Sequence, residues 1–517
     1  MRAILSPWDK RGLADFAQEL HALGFELYAT DGTVRALADA GQAARNVSEL
    51  TAHPEMLEGR VKTLHPAIYA GLLADRDNDD HRAQIARFGY APIDVVAVNL
   101  YPFQATIESP TATLKDALDN VDIGGVSLLR AAAKNFGQVI PVVDPADYPV
   151  VIERLRAHTD DLAWRRQLAA KAFRHVAVYD VHVAGYLAGP LDDFPDVLPV
   201  ALAKSQDLRY GENPHQRAAV YRQTPNPRPG TAIVGARQLH GKELSFNNLL
   251  DVDAALGSVR DFAAIAVAVV KHGNPCGLAC AEELPEAYRR AHAGDPMSAF
   301  GGAVGLNRVV DGFTAQLIAE SHYDDLVAPG YTDEALAILR RKRNLRILAV
   351  DLTPTDSPAA TINPTLSLDF RAVTGGFLVQ TQDALREDDV TLRTVTDREP
   401  TLEELTNLLF GWRAVKHVKS NAIVLTRQLS LVGVGAGQMS RVDAVDLAIR
   451  KAGARAIGSV LASDAFFSHP DAPELAAKAG ITAIIQPGGA MHDEDVIKVA
   501  NRHHLAMLLT GRRHFRH

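Results

Sequence analysis

Ile265-Ala266-Val267-Ala268-Val269-Val270-Lys271-His272-Gly273-Asn274-Pro275-Cys276-Gly277 runs small and β-branched apolar residues directly into a lysine, a histidine and a Gly-Asn-Pro turn. A short continuous apolar run of this kind reads as a buried strand, and its abrupt end delivers ionisable side chains to the rim of a sheet. An isolated Lys-His pair at a strand exit is ordinary. Beside the features below it reads as a proton-handling pair, because imidazole titrates near neutral pH.

The same pattern extends outward. Ala3-Ile4-Leu5, Phe25–Tyr28, Val95–Val98 and Val139–Val143 alternate with amphipathic stretches such as Gly12–Leu20. Strands alternating with helices predict a parallel sheet covered on both faces, so the fold class is α/β. A helical tract with Trp164, Phe173 and Tyr179 precedes Gly189-Pro190-Leu191-Asp192-Asp193-Phe194-Pro195, which reads as a linker. The expected domains are therefore 1–195, with a core of about 1–145 plus a helical connection, and 196–517. The second is again mixed α/β, with a polar, Pro-rich break at Thr353–Pro358, near 355.

A chain of 517 residues, 47% apolar and 22% charged, describes an ordinary globular protein of several domains. Its net charge of −8 gives no general attraction to nucleic acid or to an anionic membrane, so neither is an expected partner. Two cysteines, Cys276 and Cys280, suit a reducing compartment. With no transmembrane-length apolar run and no signal-like start, the expected location is the cytoplasm.

Four strand ends in the first domain carry ligand-type residues. Thr30-Asp31-Gly32-Thr33 lies between a strand and the helical Val34–Ala40, where backbone N–H groups can meet a phosphate. Gly59–Pro66 contains Arg60 and Lys62, which an extended backbone would point to one side, with Thr63 beside them. Asn99–Phe103 ends a buried strand at Tyr101. Asp122-Ile123-Gly124-Gly125 opens a helix that carries Arg130, Lys134 and Asn135. Its glycines suit close backbone approach to a ligand, and its aspartate can orient or deprotonate an amine.

The second domain has a matching set. Arg209-Tyr210-Gly211-Glu212-Asn213-Pro214-His215-Gln216 has little packing rationale and fits ligand binding. Asp295–Gly302 offers Phe300 and Gly301, Lys419–Ile423 supplies Asn421, and Ala462–Phe467 is expected to expose two aromatics near Asp471. A basic C-terminus contains Arg513. Aromatics beside a Lys-His pair suit a flat heterocycle.

Three tempting motifs fail. Gly433-Val434-Gly435-Ala436-Gly437-Gln438 puts glutamine where the dinucleotide fingerprint needs its third glycine, and there is no P-loop. His272-Gly273-Asn274 with Cys276 and Cys280 looks like a damaged zinc deaminase, since Asn274 replaces the glutamate and the cysteines are one residue too far apart. No catalytic metal is expected.

Arg60–Pro66, Asn99–Phe103, Asp122–Asn135, Arg209–Gln216, Lys271–Gly277, Gly435–Arg441 and Leu461–Phe467 together resemble, over nearly the whole chain, the bifunctional family that joins aminoimidazole carboxamide ribonucleotide (AICAR) formyltransferase to IMP cyclohydrolase. The resemblance implies an N-terminal methylglyoxal-synthase-like parallel-sheet domain and a C-terminal transferase of two cytidine-deaminase-like α/β halves. It implies 10-formyltetrahydrofolate as co-substrate, AICAR, FAICAR and IMP as the other small-molecule partners, and a homodimer with transferase sites at its interface. A structural monovalent cation is left open.

Carried over by residue, Lys271 and His272 resemble the transferase pair, with Asn421 positioning the formyl group. Arg209 and Arg513 resemble the AICAR phosphate contacts, Tyr210, His215 and Arg441 surround the base, and Gly301 is a further substrate contact. Phe300, Phe466 and Asp471 resemble the folate side. In the N-terminal site Lys10, Thr33, Arg60, Thr63 and Gly124 resemble the nucleotide contacts, and Lys62, Tyr101, Asp122 and Lys134 the ring-closing group.

The chain departs from the family pattern in three places. Ser6-Pro7-Trp8-Asp9-Lys10-Arg11-Gly12 replaces a serine-rich segment, so Trp8 takes the place of a hydroxyl. Thr30-Asp31-Gly32-Thr33 replaces S-G-G-T, so either Asp31 points away from the phosphate or the loop binds differently. Phe467-Ser468-His469-Pro470-Asp471 alters the folate segment. Two other readings compete: an NAD-dependent oxidoreductase built on Gly433–Gly437, and a non-catalytic purine nucleotide sensor.

Overall fold

The computed structural model describes residues 1–109, 111–189, 193–225, 232–352, 368–384 and 389–517. Residues 190–192 of the expected linker and the expected break at 353–358 lie outside them. The chain forms two compact units, the first built on Met1–Leu202 and the second on most of the chain from Ala203 to His517. No helix of the described residues is long and apolar enough to cross a membrane.

In the first unit, β1 (Arg2–Leu5), β2 (Glu26–Ala29), β3 (Arg45–Asn46), β4 (Val95–Ala97) and β5 (Ile140–Val142) form one sheet in the order β3-β2-β1-β4-β5. All neighbours are parallel. Ala3, Leu5, Val95 and Ala97 face one core with Phe16 and Leu20, while Ile4, Tyr28 and Val96 face another with Ile68 and Leu129. Covering both faces is why these strands read as unbroken apolar runs. Each valine, leucine or isoleucine among them contributes about 1.5–3 kcal/mol on burial. The strand order reverses between β1 and β4, and a crevice opens at their carboxyl ends, as doubly wound sheets require.

In the second unit β6 (Leu202–Leu208) pairs with β7 (Ala218–Gln223). A large sheet contains β8 (Arg237–His240), β9 (Ile265–Lys271), β10 (Asn274–Ala281), β11 (Gly302–Leu306), β12 (Tyr323–Ala328) and β13 (Arg346–Ala349). After a separate antiparallel hairpin, β14 (Leu368–Val373) and β15 (Gly376–Thr381), the same sheet continues. It adds β16 (Arg393–Thr394), β17 (Ile423–Arg427), β18 (Ser430–Gly435), β19 (Val460–Ser463), β20 (Ala483–Gln486) and β21 (Ala506–Leu509).

The order β16-β21-β20-β19-β17-β18-β10-β9-β11-β12-β13-β8 reads outward identically from its centre, so two halves of one topology meet where β10 and β18 run antiparallel. β9 is buried on both faces, its alternate residues entering different cores. The turn after it is shorter than the sequence suggests. His272 (φ 52°) and Gly273 (φ 73°) make a two-residue hairpin between the paired Lys271 and Asn274. The chain resumes as strand at once, and a bulge between Pro275 and Gly277 accommodates the proline. Gly433 and Gly435 also lie within a strand. A Cβ on them would stand 2.2 and 1.9 Å from the carbonyl oxygens of Ala448 and Ala444, so these glycines serve strand-to-helix packing.

Candidate functional site

At the β1/β4 crevice a cavity of about 440 Å³ is lined by Lys10, Thr33, Arg60, Lys62, Thr63, Tyr101, Asp122 and Gly124. Asn99, after β4, fixes the turn after β1: its Oδ1 accepts from the Asp9 N–H at 2.7 Å and its Nδ2 donates to the Asp9 carbonyl at 3.2 Å. That turn sets Trp8 and Lys10 on the cavity wall. Helix Asp31–Asp39 starts without a side-chain cap, because the Thr30 hydroxyl pairs with that of Ser6 at 3.0 Å. Thr30, Gly32 and Thr33 line the cavity and Asp31 does not; its carboxylate accepts from the Asn46 amide. Of the two arrangements left open by the sequence, the aspartate points away.

Arg60 and Lys62 reach the cavity from a tight turn and not from an extended segment. Leu57–Gly59 is a 3-10 turn closed by Gly59 (φ 90°), and Met56 pairs with Val61. Arg60 is ion-paired with Asp119 at 2.6 Å. Asp122 accepts from the Gly125 N–H at 2.7 Å. Burial pushes its carboxyl above the ordinary aspartate range, opposed by the N–H groups of Gly125 and Tyr101 and by the charge on Lys62. A Cβ on Gly125 would stand 2.6 Å from Asp122 Oδ2, and one on Gly124 2.9 Å from Thr63 Oγ1, so the helix start needs both glycines. Tyr179 anchors this loop from the helical tract, accepting from the Asp122 N–H at 2.8 Å and donating to the Asn120 carbonyl at 3.0 Å.

Lys134 stands apart from this group. It is exposed, ends the 11-residue helix Gly124–Lys134 and does not line the cavity. At 1.5 Å per residue it is about 15 Å along the axis from Gly124.

In the second unit Lys271 Nζ donates to the Gly301 carbonyl at 2.7 Å. The His272 turn is held by Asp251, whose carboxylate accepts from the N–H groups of His272 (3.3 Å) and Gly273 (2.7 Å) and leaves the imidazole exposed. Asn274 Oδ1 accepts from the Lys419 N–H at 3.0 Å, joining the hairpin to the segment before β17. There Asn421 Nδ2 donates to the carbonyls of Gln438 (2.9 Å) and Met439 (3.2 Å), while its Oδ1 accepts from Arg441 at 2.7 Å. Arg441 also donates to Ser463 Oγ at 2.9 Å and pairs with Asp464, which is 1% exposed and also accepts from Ser420 Oγ. The guanidinium thus neutralises a buried carboxylate and fixes the carboxamide.

The remaining residues take their places around this corner. Asn247 Nδ2 donates to the Glu212 carbonyl at 3.3 Å, tying the Arg209–Gln216 segment to the helix that bears Asp251. Arg209 lies over the Tyr210 ring with its carbon 4.8 Å from the centroid, and His215 is exposed. The His514 N–H donates to the Asp464 carbonyl at 2.9 Å, which places exposed Arg513 next to the buried carboxylate's backbone. Phe300 is 68% exposed and stacks on His322 at 4.7 Å. The Ala462–Phe467 segment exposes one aromatic, not two: Phe466 is partly exposed while Phe467 is buried in the core around Leu461. Asp471 opens helix Asp471–Lys478 and accepts from the Ala472 N–H at 2.8 Å.

Sequence reasoning missed Asp251 and the anchoring role of Asp464. Asp251 is a helical residue 21 positions before the turn it holds, and no local pattern marks it. Asp464 had a signal, a charged residue at the end of an apolar strand.

Residues 132–451 match the family model described as AICARFT/IMPCHase bienzyme, and residues 12–127 match an MGS-like domain. A bifunctional purine biosynthesis protein PurH of Anoxybacillus flavithermus is 50% identical over 518 residues, covering 100% of this chain and 99% of the relative. The protein of the same name from Oceanobacillus iheyensis is 47% identical, and that from Shouchella clausii 50%, each covering 100% of this chain and 99% of the relative.

Proposed function

The chain belongs to the AICARFT/IMPCHase bienzyme family, and on that premise we propose which residues carry each of its two reactions. The protein is a bifunctional enzyme of purine biosynthesis, an AICAR formyltransferase and an IMP cyclohydrolase. The first activity moves a formyl group from 10-formyltetrahydrofolate to the 5-amino group of AICAR, giving FAICAR. The second closes FAICAR to IMP with loss of water. These relatives support neither an oxidoreductase nor a nucleotide sensor, and the glycine run invoked for a dinucleotide is occupied in helix packing.

Formyl transfer is assigned to the 196–517 domain. The amine nitrogen attacks the formyl carbon, a tetrahedral oxyanion forms, and the C–N10 bond breaks. His272, exposed on its turn, takes the amine proton. Lys271 stabilises the oxyanion or protonates the departing N10. Asn421 positions the formyl group, and Arg441 acts through it as a positioning residue. Arg209 and Arg513 hold the nucleotide phosphate, while Phe300, Phe466 and Asp471 hold the folate. Met297, Phe300 and Met439 are 90%, 68% and 92% exposed. Large apolar side chains left open around a site support a homodimer that covers them.

Ring closure is assigned to the 1–195 domain. The carboxamide nitrogen attacks the formyl carbon within one molecule, so orientation and oxyanion stabilisation are the main demands. Lys62 stabilises the oxyanion, Asp122 with its raised affinity for a proton takes one from the carboxamide, and Tyr101 donates to the departing oxygen. Lys10, Thr33, Arg60, Thr63 and Gly124 hold the nucleotide. The observation that carries this reading is the convergence of Lys62, Tyr101 and Asp122 on one cavity.

The test supplies AICAR and 10-formyltetrahydrofolate and follows tetrahydrofolate and IMP together. Lys62→Ala is expected to cut ring closure by about 100-fold or more, with FAICAR accumulating. Lys134→Ala is expected to change it less than about threefold, because the lysine stands a helix length away. Equal losses in both variants would overturn the assignment of the ring-closing group.

A further inference from the structure

We propose that Arg371 and Asp383 are positioning residues for formyl transfer, because they hold the segment Arg512–His517 against the corner that carries Asn421; this rests on the roles given above to Asn421 and Arg513. The segment follows β21 as irregular chain, after a turn at Gly511 (φ 64°). Chain outside a ladder opens easily unless other groups tie it down. Two ties come from β14–β15, a hairpin that joins no other strand among the described residues. Arg371, on β14, donates from Nη1 to the His517 carbonyl at 2.6 Å. Asp383, just past β15, accepts from His514 Nδ1 at 2.6 Å. That imidazole is 1% exposed and its centroid lies 4.5 Å from the Trp412 ring, so the carboxylate fixes a buried group in one orientation.

The tied segment reaches both groups it has to place. The His514 N–H donates to the Asp464 carbonyl at 2.9 Å, and the Ser420 N–H donates to the Arg516 carbonyl at 2.9 Å. Ser420 directly precedes Asn421, and its hydroxyl donates to the same Asp464 whose carboxylate pairs with Arg441. Asn421 is therefore held by Arg441 through its side chain and by this segment through the residue before it. Within the segment His514 is buried, while Arg513 and Phe515 are exposed. The Arg513 guanidinium carbon lies 4.5 Å from the Phe515 ring centroid, close enough for the ring face to hold the cation. Ties at His514 and His517 bracket that pair and fix where the exposed guanidinium stands. The separate hairpin supplies both of them.

The experiment measures formyl transfer, and ring closure of supplied FAICAR, in Asp383→Ala, Arg371→Met and Arg513→Ala, alone and combined. Asp383→Ala is expected to raise the KM for AICAR about 10-fold through Arg513 and to lower kcat about 10-fold through Asn421, with ring closure unchanged. Arg371→Met should show the same pattern at about threefold, since its contact is exposed. Asp383→Asn and Arg371→Lys keep a hydrogen-bonding group and should restore part of each loss. Added to Arg513→Ala, Asp383→Ala should leave the KM for AICAR within about twofold of the single variant, because the group it orients is already gone. Wild-type KM and kcat in both single variants, or a KM effect that multiplies with that of Arg513→Ala, would overturn the proposal. A KM for AICAR unmoved by Arg513→Ala would instead sink the reading it rests on. The hold on Asn421 would then be judged by hydrogen exchange: a faster Ser420 amide together with the lower kcat keeps it, and an unchanged amide ends it. Should Asp383→Ala not fold, Arg371→Met decides the same comparisons.

Discussion

The two halves of the twelve-stranded sheet build the same corner twice, and only one carries the Lys-His pair proposed for formyl transfer. In the first half Lys271-His272-Gly273-Asn274 closes the β9/β10 hairpin; in the second, Arg427-Gln428-Leu429-Ser430 closes β17/β18, again with two positive-φ residues at the turn. Each half presses a strand glycine on a helix carbonyl, Gly277 on Ala291 and Gly433 on Ala448. After the third strand of each half comes a buried polar residue whose N–H donates to the matching carbonyl, Asn307 to Ala266 and Asp464 to Ala422. Asn307 spends its amide on backbone, donating to Phe262 and Ala264 at 2.9 and 2.7 Å and accepting from Ala266 at 2.8 Å. Asp464 pairs with Arg441, which fixes Asn421. A repeated backbone thus demands the same packing residues in both copies, whereas the polar residues at its corners are free to diverge.

The strongest way to break this comparison is to mutate the two turns. Lys271→Ala is expected to lower formyl transfer about a thousandfold and leave ring closure of supplied FAICAR intact. Arg427→Ala, at the matching position, should change either rate less than about twofold. Steady-state assays of both reactions decide it, and a comparable loss in Arg427→Ala would end the idea of one active corner.

The paired buried residues sharpen it. Asp464→Asn leaves Arg441 without its carboxylate and loosens Asn421, so kcat should fall by about 100-fold with little change in the KM for AICAR. Asn307→Ala should do the opposite, costing about 2–4 kcal/mol of stability in urea unfolding and sparing kcat. If both variants lost only stability, Asp464 would be scaffold like its counterpart.

A smaller effect separates the next strands. Asp325 stands on β12 where β20 has Ala483. Burial pushes its carboxyl up to about 7, opposed by Arg346 and by the Asn248 amide at 2.7 Å. The folded chain therefore keeps this proton at pH values where the unfolded chain, with an ordinary value of 3.8, has released it. Stability is fullest below the unfolded value and falls as pH rises toward the folded one. Asp325→Asn should remove that slope, gaining about 2 kcal/mol more at pH 8 than at pH 5 relative to wild type, read by urea unfolding. Parallel pH dependences in the two proteins would show that Asp325 does not carry it.

Much of the first site was legible because its residues occupy consecutive strand ends, and a parallel sheet gathers such ends at one crevice. Lys134 does not line that crevice. Its sequence distance from Gly124 is short, but the helix between them is rigid and carries it away from the cavity. Arg60 and Lys62 were grouped correctly on mistaken geometry, because a positive-φ Gly59 brings them to the cavity by a turn.

What the sequence determined by itself is everything written in local pattern. The alternating apolar runs specify a covered sheet, the Lys-His pair marks where a buried strand ends, and the glycines mark close backbone approaches. Tertiary structure alone decided which distant polar groups meet: Asp251 under the His272 turn, Asp464 behind Arg441, His322 against Phe300, and Asp31 turned toward Asn46. Which distant side chains meet depends on the order in which strands and helices are assembled, and the spacing of residues along the chain does not encode that order.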